Sequence, residues 1–199
     1  MLSAAVARWL LVAHAVLAVA LVGAATHWLL WLVKLRRGQP GRMRSVRRFG
    51  VIAMTLYVAT MAVGLVVYPT YKARVKLEFL TRPAAVAADV RTRLVEGEAL
   101  AARVEGRPAR EVTDVALEAR AREASRRAVR IARWFDVKEH WVALGLALGL
   151  AALVAIRAWR PREDGPGPGG FALGAVAGTA AIVWLAAVIG LVTTATRSF

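Results

Sequence analysis

Apolar residues along this chain collect into four long blocks instead of alternating with polar ones. The blocks run from Trp9 to Val33, Phe49 to Tyr68, His140 to Ile156 and Phe171 to Thr194. A hydrocarbon core about 30 Å thick needs about 20 apolar residues in a helix to cross it. The pattern predicts four membrane spans, the third short and extended outward by Trp134–Val137. The expected fold is an all-α integral membrane protein, a four-transmembrane-helix bundle with an extramembrane helical hairpin between spans 2 and 3. It divides into membrane hairpin 1 (residues 1–70), an outer segment with the arm (71–139) and membrane hairpin 2 (140–199). Residues 1–25 resemble a signal peptide, with Arg8, an apolar run and small residues at Gly23-Ala24-Ala25. The run continues to Val33, so it is read as the first span.

Between spans 2 and 3 the period changes. Leu117, Ala121, Ala124, Ala128, Ile131 and Phe135 recur every three or four residues, the seam of a close-packed helix pair. Glu118 precedes Arg122, and Glu123 precedes Arg127, by one helical turn. With Pro108 suited to a first helical position and no later proline before Arg160, residues 108–160 predict one helix that begins in water and ends across the membrane. Pro83 opens a second arm helix through about Val104, with Val86, Val90, Leu94, Leu100 and Val104 as its apolar side and Gly97 weakening it midway. Gly106-Arg107-Pro108 is the predicted turn.

Pro69 should kink or stop span 2. Beyond it, Lys72-Ala73-Arg74-Val75-Lys76-Leu77-Glu78-Phe79 alternates strictly between polar and apolar. As a strand this puts the cations on one face and leaves an edge that must pair, here with another subunit. As an extended or helical linker it leaves the cations snorkelling at the membrane surface.

The two membrane hairpins resemble each other. Each entering helix carries a histidine near its outer end, His14 or His140, and each returning helix closes on Gly-Leu-Val, at Gly64-Leu65-Val66 and Gly190-Leu191-Val192. A 2+2 repeat about an axis along the membrane normal is the expectation. Small residues at Gly145/Gly149 and Gly170/Gly174/Gly178 allow close approach of spans 3 and 4.

Composition agrees with a membrane protein: 58% of residues are hydrophobic and mean hydropathy is +0.51. The net charge of +15 suggests nucleic acid, but much of the Arg and Lys flanks membrane spans, where it orients them and meets anionic lipid headgroups. Nucleic acid is not an expected partner; lipids and other membrane subunits are. Lys34, Arg36, Arg37, Arg42, Arg44, Arg47 and Arg48 share one short loop without an acid, which assigns it to the cytoplasm. Arg157, Arg160 and Arg162 mark the loop between spans 3 and 4 on the same side. The expected setting is a bacterial inner membrane, with both termini and residues 71–139 outside. Trp28, Trp31 and Trp159 would then mark the inner interface, and Trp9, Tyr68, Tyr71, Trp134 and Trp141 the outer one.

Candidate chemistry is sparse. Without cysteine there is no disulfide, thiolate catalysis or covalently attached haem. No span carries an acid or a Lys or Arg in its interior, which argues against proton pumps and ion-coupled transport. Three histidines remain. His14 and His140 are candidate axial ligands of one b-type haem, with Arg74, Lys76, Arg133 or Lys138 facing its propionates. His27, thirteen residues after His14, is turned about 140° from it. Tyr57 and Trp184 are candidates for lining a quinone or lipid pocket. Where the arm meets the membrane, Trp134-Phe135-Asp136-Val137-Lys138-Glu139-His140-Trp141 mixes aromatic and charged groups most densely, with Asp136 one turn before His140.

The expected function is a non-catalytic subunit of a larger membrane assembly, a respiratory or other electron-transfer complex, docking through the arm. Lys72, Arg74, Lys76, Trp134 and Phe135 are the expected partner contacts. A b-type haem protein ligated by His14 and His140 is the alternative reading. A small-molecule transporter or channel would need a polar pathway that the spans do not supply.

Overall fold

The computed structural model describes residues 2–159 and 169–196. Arg160 and Arg162 therefore lie outside the described residues. Five α-helices make up nearly all of what is described, without a strand: α1 (Ala4–Arg36), α2 (Met43–Tyr71), α3 (Pro83–Glu105), α4 (Asp114–Ala158) and α5 (Gly170–Thr196). Four of these helices are long and apolar enough to cross a membrane.

Helix α1 starts at Ser3, whose hydroxyl accepts the Val6 N–H, and it ends with Lys34 and Arg36 in its last turn, where cations suit the helix dipole. Gly38, at φ 87°, turns the chain back, and a short 3-10 turn (Pro40–Arg42) leads into α2.

Pro69 does not stop α2. The chain stays helical to Tyr71 and then widens into a π-helical segment, Lys72–Leu80. The alternating stretch is thus neither a strand nor an edge. Pairing backbone groups five residues apart widens the turn, so Tyr71, Val75, Phe79 and Leu80 fall on one face and are buried. The change of register follows two residues after the proline, which lacks the N–H that the preceding turn would use. Thr81 ends the segment, with its N–H and hydroxyl both donating to the Lys76 carbonyl.

Pro83 occupies the first turn of α3, and Gly106 closes it at φ 65°. The expected helix from 108 begins instead at Asp114. Glu98 accounts for the delay: its carboxylate accepts from Arg107 Nη1 at 2.6 Å and from the Arg110 N–H at 2.8 Å. These bonds hold the linker against the end of α3 and out of helical geometry. Helix α4 then runs 45 residues, about 68 Å at the usual rise, so one element forms part of the arm and an apolar stretch long enough to cross a membrane.

Within the membrane region α1 packs against α2 and α5, and α4 against α5 and α2. The buried side chains separate into two clusters. One lies toward the cationic loop and includes Trp28, Leu32, Val46, Met54, Tyr57, Ile156 and Val176. The other anchors the arm: Tyr71, Val75, Phe79, Leu80 and Val86 close on Ala128, Ile131 and Ala132 of α4. The predicted seam thus does face inward. Trp28 is not an interface residue but fully buried, its indole 3.0 Å from where a Gly50 side chain would begin. The Gly145/Gly149 pair works as expected and serves two neighbours, facing Tyr57 and Met54 of α2 as well as Ile182 and Thr179 of α5. Gly170 and Gly174 have nothing near enough to require a glycine.

Candidate functional site

The end of the apolar helices away from the cationic loop, where α2, the π-helical segment, α4 and the arm converge, concentrates the polar contacts. Lys76 pairs with Asp136 at 2.5 Å, and the Tyr68 hydroxyl donates to Glu139 at 3.4 Å. Tyr71 stacks on Phe135 with centroids 4.0 Å apart, and the Lys138 ammonium lies 5.3 Å from the same ring. His140 bonds the Asp136 carbonyl one turn back, its Nδ1–H donating at 3.0 Å.

Of the expected partner contacts, Lys72 and Trp134 are exposed, while Lys76 and Phe135 are committed to contacts inside the chain. Arg74 is half-buried on the π-helical segment and Arg133 is exposed on α4.

His14 is half-buried on α1. Its Nδ1–H donates to the Thr60 carbonyl of α2 at 3.0 Å, and its Cε1 lies 3.1 Å from where a Gly64 side chain would begin. On α4 the residue on the Gly145 face is Lys138, whose ammonium sits against Gly190 of α5. Seven residues before Gly145, Lys138 lies within about 20° of that inward face, whereas His140, five residues before it, is turned about 140° away. His140 is exposed. The structure therefore does not bring His14 and His140 together as a facing pair. His27 stacks on Phe49 with centroids 5.5 Å apart and donates to the Gly23 carbonyl.

The pocket candidates have ordinary partners. The Tyr57 hydroxyl donates to the Val142 carbonyl at 2.8 Å, and the Trp184 indole N–H to the Thr26 hydroxyl at 3.1 Å, joining α5 to α1.

Sequence reasoning found Lys138 only as a propionate contact and missed its direction. The signal was its seven-residue spacing from Gly145. It named Gly190 only as part of the repeated Gly-Leu-Val and missed that its absent side chain leaves room for the Lys138 ammonium, 3.3 Å from the position a Cβ would take.

The arm itself is unevenly packed. Its base is closed by the second cluster, but toward the tip Ala102 is the one buried residue described on α3 beyond Val86. Val95, Leu100 and Val104 of α3 and Val115 of α4 are more than half exposed, Val104 and Val115 at 80%. Midway, an open groove of about 330 Å³ has Val90, Leu94 and Ala124 in its lining, with Arg120, Arg127, Glu123 and Arg93, the last paired with Asp89 at 2.8 Å. At the turn, Arg107 and the Arg110 N–H hold the Glu98 carboxyl down to about 2. No protein-family model, curated protein or solved structure matches this chain.

Proposed function

We propose that this protein is a non-catalytic subunit of a larger membrane assembly, anchored by its four apolar helices and docking through the arm. The observation that carries the reading is the uncovered apolar strip near the tip, Leu100 and Val104 one turn apart with Val115 across the turn. Burying a Val or Leu side chain is worth about 1.5–3 kcal/mol, which α3 and α4 leave unused there. The groove adds a preference. Arg93 is paired with Asp89, but Arg120 and Arg127 still outnumber Glu123 around the apolar floor, which favours an acidic, amphipathic segment of a partner, since complementary charge steers and orients docking. An electron-transfer complex is one such assembly.

We read the four apolar helices as a membrane bundle with a 2+2 repeat. Two observations support this: each hairpin packs within itself, and His14 meets Gly64 much as Lys138 meets Gly190. The seven-cation loop supports an inner-membrane orientation with the arm outside.

The test is site-specific photocrosslinking in native membranes, with the photoreactive residue at Val104 or, turned about 140° around α3, at Arg91. A discrete adduct to one membrane chain from position 104 and none from 91 is the expected outcome. A monodisperse monomer with no adduct from either position overturns the proposal.

A further inference from the structure

Where α1 ends and α2 begins, two cations converge on one aromatic ring. The Lys34 ammonium and the Arg42 guanidinium each lie 4.7 Å from the centre of the Trp31 ring. An indole face attracts cations, so the ring gathers two like charges and holds their centres no more than twice that distance apart. Trp31 itself is anchored, packing with Met43 and Phe49 against the cluster built around Trp28, Leu32 and Val46. Lys34 and Arg42 are exposed.

No acid of the chain answers this pair. No Asp or Glu precedes Glu78 in the sequence, and neither cation has a carboxylate partner among the described residues. Arg42 uses only Nε within the chain, donating to Gln39 at 3.5 Å, which leaves both terminal nitrogens as donors. Arg47 differs, since its Nη2 donates to the Trp159 carbonyl at 3.2 Å and so ties α2 to the end of α4. One turn before Lys34, on the same side of α1, Leu30 is 51% exposed and sets an apolar surface beside the cations.

We propose that Lys34 and Arg42, gathered by Trp31, bind one phosphate group, supplied by the headgroup of an anionic lipid in the leaflet beside the cationic loop. Arg42 presents its terminal nitrogens as a fork, and Lys34 adds a compact charge. Lipid is favoured over free phosphate because Leu30 lies on the apolar side of the cations, where an acyl chain would run. The inference rests on reading α1 and α2 as membrane spans and is independent of the docking role of the arm.

The test is native mass spectrometry of the full chain released from bilayer discs of phosphatidylcholine with and without phosphatidylglycerol. The expected result is one phosphatidylglycerol retained per chain, lost in Lys34→Gln and in Arg42→Gln and kept in Lys34→Arg. Arg36→Gln and Arg48→Gln remove the same charge from the same loop without touching the Trp31 ring, and both should keep the lipid. Circular dichroism checks that each variant retains its helices; if one of the two site variants does not, the other carries the test. Equal loss in all four glutamine variants would overturn the site in favour of a diffuse basic surface. Retention unchanged by Lys34→Gln and Arg42→Gln, or no retained anionic lipid in the unmodified chain, would overturn it outright. Inorganic phosphate added to lipid-free detergent should not raise the melting temperature. A rise that Lys34→Gln removes would overturn the lipid source in favour of the free anion. A chain that does not enter the discs would overturn the membrane reading and the site with it, an outcome distinct from entry without retained lipid.

Discussion

The Tyr57 hydroxyl donates to the Val142 carbonyl across 2.8 Å, tying α2 to α4 at the level of Gly145. The bond exists because Gly145 has no side chain, since a Cβ there would collide with the Tyr57 oxygen and with Ile182. The glycine therefore makes room for a polar tie as well as for close helix packing.

Removing that tie should cost little, and filling its space should cost more. Tyr57→Phe is expected to lower stability by about 0.6 kcal/mol, the usual worth of a hydrogen bond between membrane helices. Gly145→Ala is expected to cost about 1–3 kcal/mol through overpacking, with part recovered in the double variant. Unfolding in detergent micelles measures all three, and an unchanged Gly145→Ala protein would refute this geometry.

The turn of the arm should open in acid. In the folded chain Glu98 titrates near 2, held down by Arg107 and the Arg110 N–H, against an ordinary value near 4.5. A depressed carboxyl stabilises the fold above its unfolded value, and that contribution fades as pH falls from about 4.5 toward 2. The protection factors of the Arg107 and Arg110 amides, each rate referred to the intrinsic rate at the same pH, should fall through that window. Glu98→Gln should show low protection throughout, with no step; a step of the same size in that variant would remove Glu98 from the explanation.

Burial should divide the arm into a base that matters for stability and a tip that does not. Ile131→Ala and Phe79→Ala empty the cluster at the base, where both are buried, and each should cost about 2–5 kcal/mol. Val104, at 80% exposure, should change stability by less than about 0.5 kcal/mol when cut to Ala. Limited proteolysis of the arm in detergent ranks the three, and equal protection would contradict the packing described.

Orientation is open to direct measurement because the chain has no cysteine. In spheroplasts, a membrane-impermeant maleimide should label Gly97→Cys on the arm and leave Gly41→Cys in the cationic loop unlabelled until the membrane is broken. The reverse pattern would invert the topology.

Hydrophobic block length by itself determined the four apolar helices, and period, Pro83 and Gly106 determined most of the arm, because these features act locally within one or two turns. Local pattern failed where two chemistries competed for the same residues. The alternation at 72–79 matches a strand, yet the stretch continues a long helix whose widened turns let Val75, Phe79 and Leu80 reach Ala128, Ile131 and Ala132. Pro108 could have begun a helix, but Glu98, ten residues earlier, captured the linker. The candidate site depended most on tertiary structure. Lys138 and Gly190 are more than fifty residues apart, and their meeting depends on which face of α4 turns inward, which is set by Gly145 and Gly149 packing on α2 and α5. A sequence lists the polar groups near a membrane boundary; helix rotation decides which of them face one another.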